Sequence, residues 1–491
     1  MDSPVTTPDV LRVLPELAWC GAGVLLMLLQ PFLKNRQALT FLAMLGASAG
    51  TLVSFFGLRD PGSAFSGLVQ VDLFSLFFHW LIGLVSFLVI LASDSYLERE
   101  NLEAAEFYAL ILFATAGMGV LASAQELLTA FIGLEMSSIS SYILAGYRRD
   151  SVKATESAMK YFLLGSFATA FFLYGIALVF GVNGSTKLAM LATADSSSTL
   201  LRLGLTLILI GLGFKVAAAP FQIWTPDVYE GAPTPVTALF SAGPKAATFA
   251  LMLRIFATVE AATSFWFWAF CILAALTMFA GNLGALAQSN VKRLLAYSSI
   301  AHAGYIFVAL AAVTTLKFQG QAGESYAYAA VLFYLLSYSL VSVGTFTIVS
   351  ELGGRGERNL SIDDLAGLGT RQPFAAATFS LFLLSLLGLP ITAGFFGKLY
   401  IFTAALKSNL LWLAILMAIN SVIGAYYYLR LLVVMYMHEY KGTVPADLPP
   451  GLSPTAAMVV SVIVLATFYL GLAPNHILGI VLNPRLIISS L

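Results

Sequence analysis

About fourteen stretches of this chain stay apolar for roughly the 20 residues that a helix needs to cross a bilayer. In order they run Leu11–Phe32, Leu39–Leu58, Leu73–Tyr96, Phe107–Ala122, Leu127–Tyr147, Ala154–Phe180 and Leu200–Phe221. Then come Thr234–Ala257, Phe265–Leu286, Leu294–Ala312, Tyr326–Leu352, Phe374–Ala405, Leu410–Met437 and Thr455–Leu472. Lipid cannot hydrogen-bond an exposed backbone, so apolar stretches of this length cross as helices. The expected fold is therefore an all-α polytopic membrane protein of about 14 transmembrane helices. Charge usage agrees: 59% of residues are hydrophobic and 10% charged, where a soluble domain is about a quarter charged. The longest polar connection, around Gly353–Arg371, has room for a short amphipathic turn. Gly471–Leu491 reads as an interfacial tail or partial helix.

Composition also excludes several functions. The formal net charge is zero, so nothing points to nucleic acid. Cys20 and Cys271 lie in separate spans with no Cys/His cluster, so no metal, iron–sulfur or disulfide framework is expected. The N-terminus lacks the basic start of a signal peptide, and the first span is expected to be retained. Connections after odd-numbered spans hold twelve Lys and Arg, among them Lys34, Arg99, Arg148, Lys292 and Lys441. The opposite side holds eight, among them Arg12, Arg202, Arg254, Lys317 and Arg485. The richer side is expected in the cytoplasm, with both termini outside.

The chemistry lies in charges placed inside spans, each costing about 2.5–3.5 kcal/mol on insertion scales. Lys215 sits within Gly211-Leu-Gly-Phe-Lys215, and Pro220 interrupts the same span five residues later. Glu135, Lys160 and Lys245 (directly after Pro244) occupy other spans. Lys398 follows a second interruption, Gly388-Leu-Pro390-Ile-Thr-Ala-Gly394-Phe-Phe-Gly-Lys398, and His302 lies in Ser298-Ser-Ile-Ala-His302. A buried lysine exchanges its proton readily, whereas arginine stays charged. A neutral imidazole donates and accepts at once. A Glu–Lys pair of variable spacing followed by lysines and a histidine can thus pass a proton sideways between half-channels.

Plainer readings exist for the same residues. Glu135 and Lys215 also fit a static ion pair. Lys160, Arg254 and Arg430 also fit side chains snorkelling to an interface. His302 also fits a packed, hydrogen-bonded residue. Asp72 reads as a helix cap and His79 as structural. The runs Tyr426–Tyr428 and Phe265–Trp268 read as packing or interface belts.

The two lysine-bearing interrupted spans lie five apart, an odd offset that reverses orientation across the membrane. That is the pattern of two inverted five-helix repeats, residues 104–257 and 258–441. Three helices (1–103) would precede them, and one helix with a tail (442–491) would follow.

Three long strings carry a family resemblance. They are Lys215 with Pro220-Phe-Gln-Ile-Trp-Thr-Pro-Asp-Val-Tyr-Glu-Gly-Ala-Pro-Thr-Pro-Val236, Val291-Lys-Arg-Leu-Leu-Ala-Tyr-Ser-Ser-Ile-Ala-His302-Ala-Gly-Tyr305, and Gly388 to Lys398. Together they resemble the antiporter-like membrane subunits of respiratory complex I, the NADH–quinone oxidoreductase. Lys398, where one member type has glutamate, and the short end after the last span set the chain apart from the longer members. The resemblance implies proton translocation by Glu135, Lys215, Lys245, His302 and Lys398, with Lys160 near the Glu–Lys pair. It implies no cofactor in this chain; NADH, FMN, iron–sulfur clusters and quinone would belong to partner subunits. The partners implied are other membrane-arm subunits, an antiporter-like subunit M and small K- and J-type subunits among them, in a bacterial inner membrane. A cation/proton antiporter subunit of Mrp type and a purely structural scaffold are the alternatives.

Overall fold

The computed structural model describes residues 6–192, 198–258, 263–318, 324–440 and 451–481. Met1–Val5, Lys441 and Arg485 lie outside these, as does the tail beyond residue 481. The N-terminal helices are α1 (Thr7–Arg12), α2 (Leu14–Leu29), α3 (Arg36–Val53), α4 (Leu73–Glu100) and α5 (Ala104–Ser123). A two-stranded hairpin, β1 (Gly62–Ala64) with β2 (Val69–Val71), joins α3 to α4. Next come α6 (Leu127–Ala145), α7 (Val152–Asn183), α8 (Leu188–Ala192), α9 (Thr199–Val216), α10 (Thr225–Gly231) and α11 (Thr234–Thr258). The second half holds α12 (Thr263–Leu286), α13 (Val291–Phe318), α14 (Glu324–Leu352), α15 (Leu368–Arg371), α16 (Pro373–Leu387) and α17 (Ala393–Lys407). It ends with α18 (Leu411–Met437), α19 (Pro454–Leu472) and α20 (Pro474–Val481), which is the helical part of the expected tail.

Twelve of the described spans are long and apolar enough to cross a membrane; α2 and α16 are shorter apolar helices. The expected span Phe374–Ala405 is two helices, α16 and α17, because the chain turns at Gly388 and Ile391, both with positive φ. The Gly353–Arg371 connection holds two short 3-10 turns and α15.

Burial sorts the helices. The spans of α11, α13 and α14 are buried almost throughout. In contrast, α3, α7, α18 and α19 keep large apolar side chains outside, such as Leu52, Phe167, Val422 and Leu465. Such a surface suits lipid and not water. Between helices in lipid, small residues let backbones approach. At the α5–α6 contact a Cβ on Gly117 would sit 2.5 Å from the Ser137 amide nitrogen.

Arg254 departs from expectation. It does not snorkel: it is fully buried, with Nε donating to the Ala122 carbonyl (2.9 Å) and Nη2 to Asp72 Oδ1 (2.8 Å). Asp72 caps α4 as expected, accepting from the Ser75 amide at 2.7 Å. A buried acceptor within reach makes pairing cheaper than dragging the side chain to an interface.

A buried ionic cluster ties the two halves together at the ends of α4 and α14. Glu357 accepts from the Thr234 amide (2.8 Å) and hydroxyl (2.6 Å), capping α11, and from Lys292 Nζ (2.9 Å) at the start of α13. Arg148 approaches both Glu357 (3.6 Å) and Glu100 (3.7 Å). Burial pushes the Glu357 carboxyl up, but Lys292, Thr234 and Arg148 outweigh it and hold it below its ordinary 4.5. Its contribution is thus present above pH 4.5 and lost as pH falls through the lower folded-state value. Glu357→Gln should lower thermal stability at neutral pH, with about 3–5 kcal/mol the scale for breaking a buried pair. Melting curves of wild type and variant should converge as pH falls below 4.5. A constant gap down the acid range would contradict the clamp.

Candidate functional site

The site is assembled around two helices that stop inside the bundle. α9 ends at Val216, Ala217 turns to positive φ, and the chain returns through Phe221–Trp224 into α10. The Ala219–Pro220 bond is cis. The backbone groups freed by the break find partners. Trp224 Nε1 donates to the Phe214 carbonyl (2.9 Å), and the Ala219 amide donates to Thr277 Oγ1 (2.9 Å). Proline at 220 has no amide to satisfy.

Lys215 lies in the last turn of α9, where the helix dipole favours a cation. It is buried, with Nζ 5.1 Å from the ring centroids of Tyr142 and Tyr161. Trp224 stacks on Tyr161 at 4.4 Å, so the returning segment closes this aromatic cage. Glu135, on α6, is half-buried, and its Oε1 has no hydrogen-bond partner among the described residues. The two are near enough to interact electrostatically, yet they are not among the described ion pairs within 4 Å. The expected Glu–Lys contact is therefore open, with the ammonium held against tyrosine faces instead. A cavity of about 10 Å³ joins Lys215 to Ser137, Ser138 and Ser141 of α6 and to Pro244 and Thr248 of α11. That is room for about one water.

Lys245, one residue past Pro244 on α11, is 2% exposed. Its Nζ donates to the Ser299 carbonyl (2.9 Å) and to the Ser299 hydroxyl. The Tyr338 hydroxyl donates to the same Ser299 Oγ at 2.7 Å. One turn along α13, His302 Nδ1 lies 2.6 Å from the Tyr334 hydroxyl and Nε2 3.1 Å from the Tyr428 hydroxyl. Tyr428 is also hydrogen-bonded to Ser298 Oγ. Each of these hydroxyls, and the imidazole, can both donate and accept. Tyr427, beside it, donates to Asn282 Oδ1 at 3.0 Å. Tyr427 and Tyr428 are therefore buried parts of the polar network and not an interface belt; only Tyr426 faces outward.

Lys398 sits in the second turn of α17, beyond the second break. Its Nζ donates to the carbonyl of Leu387, the last residue of α16, at 2.8 Å, and lies 4.9 Å from the Tyr305 ring. It thus occupies one of the carbonyls a helix end leaves free. The Gly394 amide donates to Ser385 Oγ (3.2 Å), and a Cβ at Gly394 would fall 1.8 Å from the Ser385 carbonyl oxygen. Only glycine permits that approach. A second cavity of about 10 Å³ lies between His302, Tyr334, Tyr338, Ser385 and Gly394.

Lys160 is elsewhere. It binds Asp227 (2.6 Å) and Glu156 (2.7 Å) in a partly exposed cluster with Arg293, Glu230 and Lys153. Its neighbour Tyr161, and not Lys160, touches Lys215. Sequence reading missed Ser299, Tyr334, Tyr338 and Tyr428. Tyr334 and Tyr338 do share a face by their four-residue spacing, the one available signal.

Comparison with known proteins agrees with this architecture. Residues 124–424 match the family described as NADH:quinone oxidoreductase/Mrp antiporter, TM. The protein named NADH-quinone oxidoreductase subunit N 1 of Solibacter usitatus is 47% identical over 97% of each chain. A chain of respiratory complex I from Thermus thermophilus superposes with TM-score 0.78 at 36% identity, covering 95% of this chain and 98% of that one. A chain of the Mrp complex from Dietzia superposes at TM-score 0.81 with 22% identity, covering 98% and 97%, and shares the fold. The chain is a multi-pass membrane protein and belongs to the family of NADH-quinone oxidoreductase subunit N, within the antiporter-like membrane proteins of respiratory complex I.

Proposed function

We propose that this chain translocates protons in the membrane arm of an NADH:quinone oxidoreductase, coupled to electron transfer carried out by partner subunits. NADH, FMN, iron–sulfur clusters and quinone belong to those partners, and an M-type antiporter-like subunit and small K- and J-type subunits are its membrane neighbours. The reading places it in a bacterial inner membrane with both termini in the periplasm. Two inverted bundles, 104–257 and 258–441, each contribute one broken helix.

The observation that carries this reading is the hydroxyl-linked line between the breaks. Lys245 and Tyr338 meet at Ser299, His302 joins Tyr334 and Tyr428, a water-sized cavity adjoins His302 and Tyr338, and Lys398 stands at the second break. Proton occupancy would start at Lys215. Glu135, free of a direct contact, can approach or withdraw and so change how strongly Lys215 holds its proton. The proton then crosses the cavity toward Lys245, which follows the cavity-lining Pro244, and passes through His302 and its tyrosine hydroxyl partners toward Lys398. Lys398 releases it where α16 and α17 part. Lys160, bound to Asp227, sets the local charge at the edge of this path and does not lie on it.

Lys215→Met should lower NADH-driven proton pumping in reconstituted membranes by about tenfold, the effect of some 1.4 kcal/mol on a barrier. The complex should still assemble on native gels. Full pumping by an assembled variant would refute the role, and failure to assemble would favour a structural part for the charge. Tyr428→Phe tests the middle of the line. It leaves Ser298 and one imidazole nitrogen without this partner, so it should cost about 1–3 kcal/mol of stability and slow pumping. Unchanged pumping would remove Tyr428 from the path.

A further inference from the structure

The proton line leaves one buried titratable pair unused. Glu16, in the first turn of α2, and His79, in the second turn of α4, meet with Oε1 and Nε2 2.7 Å apart. Their exposures are 6% and 1%. Trp19 stacks on the imidazole with centroids 5.9 Å apart and anchors itself by donating to the Ala47 carbonyl (3.1 Å). Ser123 Oγ lies 3.5 Å from Glu16 Oε1 and donates more closely to the Gly119 carbonyl, at 2.9 Å. Glu16 Oε2 and His79 Nδ1 are buried with no hydrogen-bond partner among the described residues.

A pair kept only for packing would be expected to have its polar atoms satisfied, since each orphan costs about 1–3 kcal/mol. Here a single bridge carries the contact, and its proton has two possible seats. Carboxylate facing imidazolium and carboxylic acid facing neutral imidazole differ by one proton moved across that bridge. Neither form requires another side chain to move.

The other charged groups on the surrounding elements are engaged or distant. Asp72 and Arg254 bind each other, Arg12 binds Asp60, and Asp9 accepts from the Phe65 amide. Glu126 caps α6, and Cys20 lies one turn along α2. Arg36 pairs with Asp94 and Glu98, and Glu351 with Ser95, on the part of α4 about 22 Å away at 1.5 Å per residue. Glu106 starts α5 at that same far end, paired with Arg149, and Glu135 belongs to the Lys215 site. α5 separates the two sites. Its Met118 and Leu121 line the Lys215 cavity, while Gly119 and Ser123 adjoin Glu16.

We propose that Glu16 and His79 form a second protonation site, one helix removed from the lysine line, in which a buried carboxyl and imidazole hold and exchange one proton. The test is pH-dependent infrared difference spectroscopy on the assembled complex, comparing wild type with Glu16→Gln and His79→Gln. The wild type should show a titrating protonated-carboxyl band that Glu16→Gln removes completely and His79→Gln shifts. Superimposable wild-type and Glu16→Gln spectra would overturn the proposal. If Glu16→Gln does not assemble, an unmoved band in His79→Gln overturns it equally. Failure of both variants to assemble would do so as well, in favour of a structural pair. The band is read without pumping and should persist in Lys215→Met, so this result and the translocation reading stand or fall separately.

Discussion

Two helices stop inside the apolar bundle, and the placement of Lys215 and Lys398 follows from how the helices' loose ends are satisfied. An unpaired backbone group at that depth costs several kcal/mol. Trp224 takes the Phe214 carbonyl, Thr277 takes the Ala219 amide, Ser385 takes the Gly394 amide and Lys398 takes the Leu387 carbonyl. The last of these is an ammonium. A break in the backbone thus supplies an acceptor that holds a charged side chain where lipid alone would reject it. Lys215, at the C-terminal end of its own helix, is held by the same dipole logic together with two aromatic faces.

Between the breaks the helices α11, α13 and α14 are buried almost throughout, so their polar side chains depend on one another and on neighbours such as Tyr428 of α18 for partners. Around Ser299 and His302 this makes a row of hydroxyls with one imidazole and the ammonium of Lys245 instead of ion pairs. It consists of two hydrogen-bonded groups, one at Ser299 and one at His302, with a cavity large enough for about one water beside His302 and Tyr338, and it holds few fixed charges. A chain of groups that both donate and accept can reverse its hydrogen bonds at small cost, which a set of closed salt bridges cannot. The closed salt bridges are placed elsewhere, around Glu357, Arg148 and Lys292, where they hold helix ends in register.

Much of this was legible in the sequence. Apolar length gave most of the spans, because lipid admits so few backbone solutions, though it ran α16 and α17 together. Pro220 and Pro390 marked the breaks, and Lys215, Lys245, His302 and Lys398 stood out as charges or imidazoles in apolar surroundings. The hydroxyl partners did not stand out. Tyr334, Tyr338 and Tyr428 are large and largely apolar, and Tyr428 sits in a run that also holds the outward-facing Tyr426. Whether a tyrosine packs, faces lipid or bonds an imidazole depends on the neighbouring helix, which lies far away in the chain. Arg254 was misread for the same reason, since its partner Asp72 is 182 residues distant. The Glu135–Lys215 separation depends on where Tyr142 and Tyr161 place their rings, which no spacing rule encodes.

The central claim is that Lys245 gives up its proton, and does not merely carry a charge. Lys245→Arg separates the two, because arginine keeps the charge and does not release a proton at accessible pH. The measurement is protons pumped per NADH oxidised by the assembled complex in liposomes. The account predicts that the ratio falls in Lys245→Arg while the variant complex remains intact. An unchanged ratio in an intact complex would show that position 245 needs only a positive charge, and would contradict the proton line.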